Sequence, residues 1–478
     1  MNREELQRRI DKGFRMVSAG DCANARALAR ALLDQVRSPA VAFNCAAILV
    51  DAAERLDDEA GVREARDIFE RLYADPAARS EFGDDLLYNL ANAKSSLVHM
   101  KSRRSAAPDY RMRPWTDEEE PVRLYYEGSG GLRAGKPEFT INCASMLRVQ
   151  GRLYEAIDLL DFVLSQHPDH PNAHLKLGEM LWAAGMVCRG CDGAPKSLFV
   201  AALWHLREAS RIFLEGAEPV FADSSASSAE RLEEVIEGVL GLGAKQALGE
   251  MGSCRLGAGA RLGIPLGLTL LARSPYRDED DPTLLDRLPN VVHDFFADAV
   301  GTYAVGRALL ADAKALAVSL PRWGDRTPSS ANHAIYAAVR QFWSVLEKVG
   351  WIINAHFKLD LAEEECSFAR AFSPPSKAVR KRLGITSEAR KLDRHPNLEG
   401  HNPGLLALSG ISAALRTGVY DPVKRLRHGA EHRSPGPVAT SDDAAVMLGI
   451  ARAALLHAAD AVLNEGFRQP DVDPDRPA

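Results

Sequence analysis

Apolar residues recur at helical spacing along most of the chain. From residue 1 to about 235, alanine, leucine, arginine and glutamate dominate, and runs of β-branched residues are few. This pattern is typical of paired amphipathic helices rather than strands. The same spacing predicts further helices at about 290–317, 330–358, 403–417, 421–433 and 440–465. We therefore predict an all-α fold.

A repeat is visible within the N-terminal helices. Gly151 is followed by Ala156 and, after further apolar positions, by Pro168, and Gly185 lies 34 residues after Gly151. This is the tetratricopeptide period, in which glycine permits the turn, alanine allows close packing and proline ends the unit. The pattern recurs from Gly20 near the N-terminus and again at Ala65, and Ala202, Leu206 and Ala209 resemble the close of the last copy. A plain helical hairpin explains any one copy, but several in tandem favour a solenoid.

Two insertions interrupt the repeat. Residues 101–136 combine an arginine pair, prolines and a glycine-rich run, which predicts a long loop. A second insertion carries Cys188 and Cys191. This pair supplies half of a zinc site and has no second pair at a suitable distance, so two free thiols are the simpler interpretation.

The length of 478 residues is too great for one ordinary core and indicates several domains. The acidic run at 278–281 marks a connector that follows a glycine-rich segment. The predicted organisation is a repeat region, a connector, a helical domain and a disordered tail, with bounds 1–235, 236–285, 286–468 and 469–478.

Composition indicates a soluble cytoplasmic protein. The chain is 46% hydrophobic and 26% charged, its seven cysteines are scattered, and it opens on a polar helix rather than a signal peptide. The apolar stretch 262–272 is far shorter than the roughly 20 residues of a membrane helix. We expect a reducing compartment and no membrane span.

Charge is distributed unevenly. The formal net charge is −6, but residues 374–433 hold twelve Lys or Arg against five Asp or Glu, a net +7. A phosphate-bearing partner fits this stretch, and so does a solvated basic surface.

The segment 427–432 has the chemistry of RNA cleavage. Arg427 offers a permanent cation with a planar fork of donors for a phosphodiester, and His432 can move a proton near neutral pH. On one helix the two side chains diverge by about 140°, unless the helix ends at the histidine. The run 434–437, Ser-Pro-Gly-Pro, gives such an ending. Alternatively, Arg and His in a last helical turn only complement the helix dipole.

A second polar group lies on the helix predicted at 330–358. Glu347, Trp351 and Asn354 have i, i+4, i+7 spacing and share one face. Glu347 and Asn354 could orient the histidine of the motif or could only bridge helices, and the bridging role is favoured for Glu347. His356 and His395 show no metal-ligand spacing and could equally lie on the surface.

The pattern Arg427, polar His428, three residues and His432 resembles the motif of the HEPN superfamily of helical ribonucleases. The resemblance extends upstream through 348–357 and 402–408, covers roughly 286–468, and is similar to the bacterial subgroup with tetratricopeptide-like repeats in front. His428 stands where asparagine is commoner, which leaves the role of that position open.

The resemblance implies an N-terminal solenoid, a C-terminal HEPN-type bundle and a metal-independent endoribonuclease without a cofactor. Arg427 and His432 would be catalytic, His428, Asn354 and Glu347 supporting, and Lys424, Arg425 and Arg433 would bind RNA. It also implies a homodimer through the C-terminal domain and a toxin or phage-defence setting, with a protein or peptide partner at the repeats. The alternative is a non-catalytic peptide- or RNA-binding protein whose bundle serves dimerisation.

Overall fold

A computed structural model shows that the described residues fold into helices and contain no strand. The all-α prediction is confirmed. The structure describes residues 2–103, 119–128, 136–187, 194–216, 219–240, 290–319, 329–363, 366–382, 395–398, 402–417, 420 and 441–463. They group into two compact units, one ending at Val149 and the other beginning at Gln150.

The first unit is a succession of helices in which chain neighbours pack together. Its helices are α1 Arg3–Ser18, α2 Cys22–Gln35, α3 Pro39–Arg55, α4 Glu59–Ala74, α5 Pro76–Arg103, α6 Glu119–Gly128 and α7 Pro137–Val149. Helix α3 also contacts α1 and α5, and α5 contacts α7. Each helix therefore packs on its chain neighbours, and the odd-numbered helices α1, α3, α5 and α7 also pack on one another in succession.

Small residues set the close packing in this unit. Ala25 and Ala29 of α2 are fully buried. A Cβ added to Gly13 of α1 would lie 2.7 Å from the Ile48 side chain of α3. Gly20 has φ +82 and forms the tight turn between α1 and α2.

The predicted loop at 101–136 is wrong in part, because it contains α6. Val122 and Tyr125, three residues apart on α6, are buried, and Tyr125 hydrogen-bonds through its hydroxyl to Asn92 on α5 at 2.6 Å. The surrounding prolines and glycines favoured a loop in the sequence-based prediction. The short helix is stabilised by its packing on α5 and α7.

The second unit contains two groups of helices. The first is α8 Leu153–Gln166, α9 Pro171–Val187, α10 Ala194–Glu215 and α11 Pro219–Leu240, and the second is α12 Asn290–Ser319, α13 Ser329–Phe357, α14 Phe368–Ala371, α15 Lys377–Arg382, α16 Pro403–Thr417 and α17 Ser441–Leu463. A 3₁₀ turn spans Pro396–Leu398. Helix α12 packs along α13, and α17 contacts α12, α13, α16 and α8.

Helix bounds in the second group confirm the sequence prediction. The four helices predicted near 290, 330, 403 and 440 begin and end within two residues of α12, α13, α16 and α17. The helix predicted at 421–433 lies outside the described residues. The predicted domain bounds stay a prediction, and most of the connector at 236–285 also lies outside the description.

The repeat glycines have two different roles. Gly151 has φ +72 and lies in the turn two residues before α8 begins, as its predicted turn role requires. Gly185 instead lies inside α9, where an added Cβ would meet the Phe199 ring at 2.6 Å. There the absence of a side chain permits close packing of α9 on α10, so the predicted equivalence of the two glycines fails.

Helix α17 is the core of the second unit. Residues Asp443–Val462 are long and apolar enough to cross a membrane, and among the described residues they are the one such stretch. However, 83% of the tested window is buried inside the protein, as expected for a core helix. Helix α16 packs against it so closely that a Cβ on Gly404 would lie 2.3 Å from the Ala461 main-chain nitrogen.

Candidate functional site

The segment 421–440 carries the predicted catalytic and RNA-binding residues and lies outside the described residues. Arg427, His432, His428, Lys424, Arg425 and Arg433 all fall within it. Tyr420 directly precedes this segment and α17 begins directly after it, at Ser441. The described part of the site therefore consists of Tyr420 and α17, which flank the motif segment, of the residues that contact them, and of Glu347 and Asn354.

Asn354 closes the C-terminal end of α13. Its side-chain oxygen accepts the Leu361 N–H at 3.1 Å, and its amide donates to the Leu361 carbonyl at 3.2 Å. Its own main-chain carbonyl accepts the Leu359 N–H at 3.1 Å. Three hydrogen bonds thus fix the turn after α13, where Lys358 and Asp360 have positive φ.

Glu347 joins α13 to the start of α14. One carboxylate oxygen accepts the Trp343 indole N–H at 3.1 Å, and the other accepts the Phe368 main-chain N–H at 3.2 Å. Gly350 allows this close approach, because an added Cβ would lie 2.6 Å from the Phe368 nitrogen. The carboxylate therefore satisfies a main-chain donor at the first residue of a short helix.

The thiol of Cys366 lies beside both of these residues. Burial raises its pKa to about 11, with a further rise from the negative charge of Glu347 and an opposing hydrogen bond from Asn354. The thiol is consequently protonated at neutral pH. The structure thus brings Glu347 and Asn354 together around residues 359–368, where both bridge chain segments. Their predicted role in orienting His432 stays a prediction.

A buried polar network holds Tyr420 at the start of α8. The Arg152 guanidinium donates to both carboxylate oxygens of Glu155, at 2.6 and 2.8 Å, and to the Gln150 side-chain oxygen at 2.9 Å. The Tyr420 hydroxyl donates to Glu155 at 2.6 Å and contacts Arg152. All four side chains are at most 5% exposed. A buried charge pair of this kind is tolerated because nearly every polar atom has a partner.

Helix α17, which follows the motif segment in the chain, also contacts α8. Arg452 of α17 forms an ion pair with Asp158 of α8. One turn further, the His457 ring lies 4.7 Å from the Tyr154 ring, measured between centroids. Helix α8 therefore fixes Tyr420 through its first turn and α17 through residues further along. Tyr420 and α17, which flank the segment 421–440, are thus both joined to α8.

An acidic side chain on α8 has a raised pKa. Burial raises the pKa of Asp161 to about 7, so this carboxyl is close to half-protonated at neutral pH. Among the described residues, no group of three or more His, Cys, Asp or Glu is arranged to hold a metal ion. Cys188 and Cys191 lie outside the described residues.

The sequence patterns did not predict the polar contacts that join α8 to Tyr420 and to α17, a set of contacts that we call the α8 frame. Arg152, Glu155 and Asp158 interrupt the otherwise apolar helix LYEAIDLLDFVLSQ and its turn, and Arg452 interrupts the apolar α17. Isolated charges within apolar helices are a signal of buried ion pairs, because such groups are rarely buried alone. The identity of each partner requires the tertiary structure, since Arg152 and Tyr420 are 268 residues apart.

Comparisons with protein-family models, curated protein sequences and solved structures found no match to this chain. The functional assignment therefore depends on the motif, the charge pattern and the described frame.

Proposed function

We propose that the protein is a metal-independent endoribonuclease of the HEPN type, with a tetratricopeptide-like solenoid in front of a HEPN-type helical bundle. The observation that carries the proposal is the run Arg427–His432, which stands in a +7 stretch of an otherwise acidic chain. An all-helical fold is compatible with the proposed architecture.

In the proposed reaction, His432 removes the proton of a ribose 2′-hydroxyl or protonates the leaving oxygen. Arg427 neutralises the charge that grows on the phosphate in the transition state. The 2′-oxygen then forms a bond to phosphorus while the bond to the 5′-oxygen breaks. The products carry a cyclic phosphate and a 5′-hydroxyl.

Neighbouring residues complete the proposed site. His428 and Asn354 position the catalytic pair, and Glu347 supports them by holding the segment after α13. Lys424, Arg425 and Arg433 bind the phosphates that flank the scissile bond, because phosphate contacts fix the register of an RNA strand without reading its sequence.

The α8 frame supports this proposal through geometry. Catalysis requires reacting groups to be held within a fraction of an ångström. Tyr420 and α17, the described elements on either side of the segment 421–440, are both joined to α8 by largely buried polar contacts.

The same proposal includes a homodimer formed through the C-terminal domain. Two side chains five residues apart on one helix diverge by about 140°, so one protomer presents them poorly to a single phosphate. A second copy of the motif supplies a further cation to the same phosphate. The proposed setting is a cytoplasmic toxin or phage-defence response in which the repeat region binds a protein or peptide partner.

The decisive experiment is cleavage of a mixed RNA pool by the full chain in excess chelator, with end-group analysis of the products. We expect cyclic phosphate ends from the parent protein and a loss of at least about a hundredfold in His432→Ala, since general acid–base catalysis contributes 10²–10⁴-fold. His167→Ala is the matched control, because His167 is exposed on the surface of the same unit.

Equal cleavage by the parent and His432→Ala would refute the proposed role of His432. Cleavage that chelator abolishes would refute the metal-independent mechanism. Salt-sensitive RNA binding by both forms, without cleavage by either, would select the alternative of a non-catalytic RNA-binding protein.

A further inference from the structure

A cleft lies beside the segment that Asn354 and Glu347 hold in place. Its walls come from Leu359, Leu361, Arg370, Ala371 and residues 373–376, and His395 closes one side. The empty space of about 360 Å³ between these walls includes open solvent at the mouth of the cleft. Most of the wall is apolar, from leucine, alanine and proline, and none of the described residues that line it is acidic.

His395 is buried in this wall with one ring nitrogen unsatisfied. The residue is only 3% exposed. Its Nδ1 accepts the Asn397 main-chain N–H at 3.2 Å, so the neutral ring carries its proton on Nε2. Among the described residues, Nε2 has no hydrogen-bond partner. Buried donors are nearly always paired, which indicates that a ligand or solvent oxygen completes this one.

Hydrogen bonds from the neighbouring Asn397 fix the position of His395. The Asn397 amide donates to the main-chain carbonyls of Phe357 and Lys358, both at 2.9 Å. This ties the turn that carries His395 to the C-terminal end of α13. The same end of α13 is fixed by Asn354, so the imidazole and the opposite wall at 359–361 are held by one helix terminus.

Cations and hydroxyls line or flank the same cleft. Arg370 lines the cleft and is exposed to solvent. Arg416 donates to the Ser373 hydroxyl at 3.2 Å, which places a second guanidinium beside the wall. Ser376 Oγ accepts the Val379 N–H at 3.2 Å, and its own proton can be donated to a ligand. The negative charge of Asp360, which lies between two wall residues in sequence, raises the pKa of His395 and so opposes the larger effect of burial.

We propose that this cleft binds a phosphate group. One phosphate oxygen accepts the Nε2–H of His395, the Arg370 guanidinium compensates the charge at the mouth, and the Ser376 hydroxyl donates a third hydrogen bond. The apolar wall excludes competing water from these contacts and so strengthens them. The site uses none of the proposed catalytic residues and does not depend on RNA cleavage.

Two sources of phosphate fit this chemistry, a free phosphate ion and a phosphate of a nucleic-acid strand. Burial lowers the pKa of His395, which keeps the imidazole neutral at neutral pH. At neutral pH the positive charge that compensates the phosphate therefore comes from Arg370 and not from His395. Histidine at this position offers a single directed hydrogen bond, whereas arginine offers a fork that matches two phosphate oxygens.

The test is titration of the full chain with inorganic phosphate at constant ionic strength, followed by NMR of ¹⁵N-labelled histidine. We expect one histidine Nε2 signal to shift on binding, and His395→Asn identifies it by its absence. Arg370→Gln should weaken phosphate binding about tenfold, as loss of one charge-assisted contact predicts. Arg340→Gln removes the same charge from an exposed position on α13 and should leave binding unchanged.

Phosphate binding that is equal in the parent, Arg370→Gln and Arg340→Gln would overturn the proposal, as would no binding below about 10 mM. Because Arg370 is exposed, its variant should fold normally and keep the test decisive if His395→Asn does not fold. A short single-stranded DNA, which lacks the 2′-hydroxyl that cleavage needs, then separates the two sources. Competition between this strand and phosphate selects the nucleic acid, and independent binding selects the free ion.

Discussion

At the scale of single residues, the most consequential group is the Arg152, Glu155 and Tyr420 network. A guanidinium, a carboxylate and a phenol are all removed from water, and their hydrogen bonds compensate one another. Removing one member leaves the others buried without that partner. The resulting loss of folding stability exceeds the net contribution of the lost hydrogen bond itself. The network also determines where the chain enters the segment 421–440.

Tyr420→Phe tests this network without changing its volume appreciably. The substitution removes the donor to Glu155, and we expect the free energy of unfolding to fall by about 1–3 kcal/mol, the cost of an unsatisfied buried group. Thermal unfolding of the parent and the variant measures it. Tyr73→Phe is the control, because Tyr73 is only partly buried in the first unit. Equal midpoints for the parent and Tyr420→Phe would show that the hydroxyl contributes nothing.

Where Tyr420→Phe does lower stability, RNA cleavage should fall as well, because the motif segment loses one fixed end. The proposed cleavage reaction supplies the assay. Stability lost with cleavage unchanged would separate the network from the site and leave it a purely structural feature.

At the scale of elements, pairs of helices are joined by polar contacts that depend on protonation. His174 of α9 and His205 of α10 face each other with 2.8 Å between their Nδ1 atoms, and His174 Nε2 donates to the Pro168 carbonyl at 2.8 Å. His174 must then accept at Nδ1 from His205. If His174 took up a second proton, on Nδ1, two N–H groups would face each other and the bond would be lost.

Stability should therefore fall as the pH drops through the ordinary histidine pKa. Burial lowers the pKa of His174, and burial with the charge of His174 lowers the pKa of His205 well below its ordinary value. Below about pH 6.5 these two histidines bind protons in the unfolded chain but not in the folded chain. Each histidine therefore lowers the free energy of unfolding by up to about 1.4 kcal/mol for each pH unit. Thermal midpoints between pH 8 and 5.5 measure the effect.

His205→Gln supplies the comparison for this pH dependence. The amide can still donate to His174 but does not titrate, so the variant should lose less stability than the parent between pH 8 and 5.5. The difference between the two proteins is the relevant quantity, because Asp161 acts in the opposite direction. Its raised pKa makes the folded chain bind the extra proton below about pH 7. Parallel pH profiles would contradict a contribution from the histidine pair.

Close helix contacts give a matched pair of glycine substitutions. Gly404→Ala places a Cβ 2.3 Å from a main-chain nitrogen of α17, and we expect a loss of about 1–3 kcal/mol from overpacking. Gly301→Ala on α12 meets nothing within 4 Å and should be neutral or stabilising by up to about 1 kcal/mol, because alanine favours helix. Chemical denaturation of both variants measures the difference, and equal effects would show that α16 can move away from α17.

At the scale of the whole molecule, the two compact units define which fragments can fold alone. The described residues from Gln150 onwards form one unit that includes α8. Within it, α8 packs on α17, and Gly151 packs against Leu406 of α16. A fragment that starts after α8 exposes the apolar surface that α8 covers, and apolar burial is the main stabilising term of a fold.

We accordingly expect fragment 150–478 to be soluble and to unfold cooperatively, and fragment 286–478 to aggregate or to unfold without a sharp transition. Circular dichroism and thermal unfolding of the two fragments distinguish these outcomes. A cooperative transition in fragment 286–478 would instead support a domain that begins at the boundary predicted from the sequence.

The sequence by itself determined the helices, because helical periodicity is local. Apolar spacing located α12, α13, α16 and α17 within two residues, and Gly151 marked a turn that only a residue with positive φ makes easily. It also supplied the motif Arg427–His432, on which the proposed activity rests. The tertiary structure decided which helices associate and which charges pair. Arg152 meets Tyr420, His395 is buried, and α6 forms inside an apparent loop, because long-range burial and partner choice leave no periodic signal in the chain.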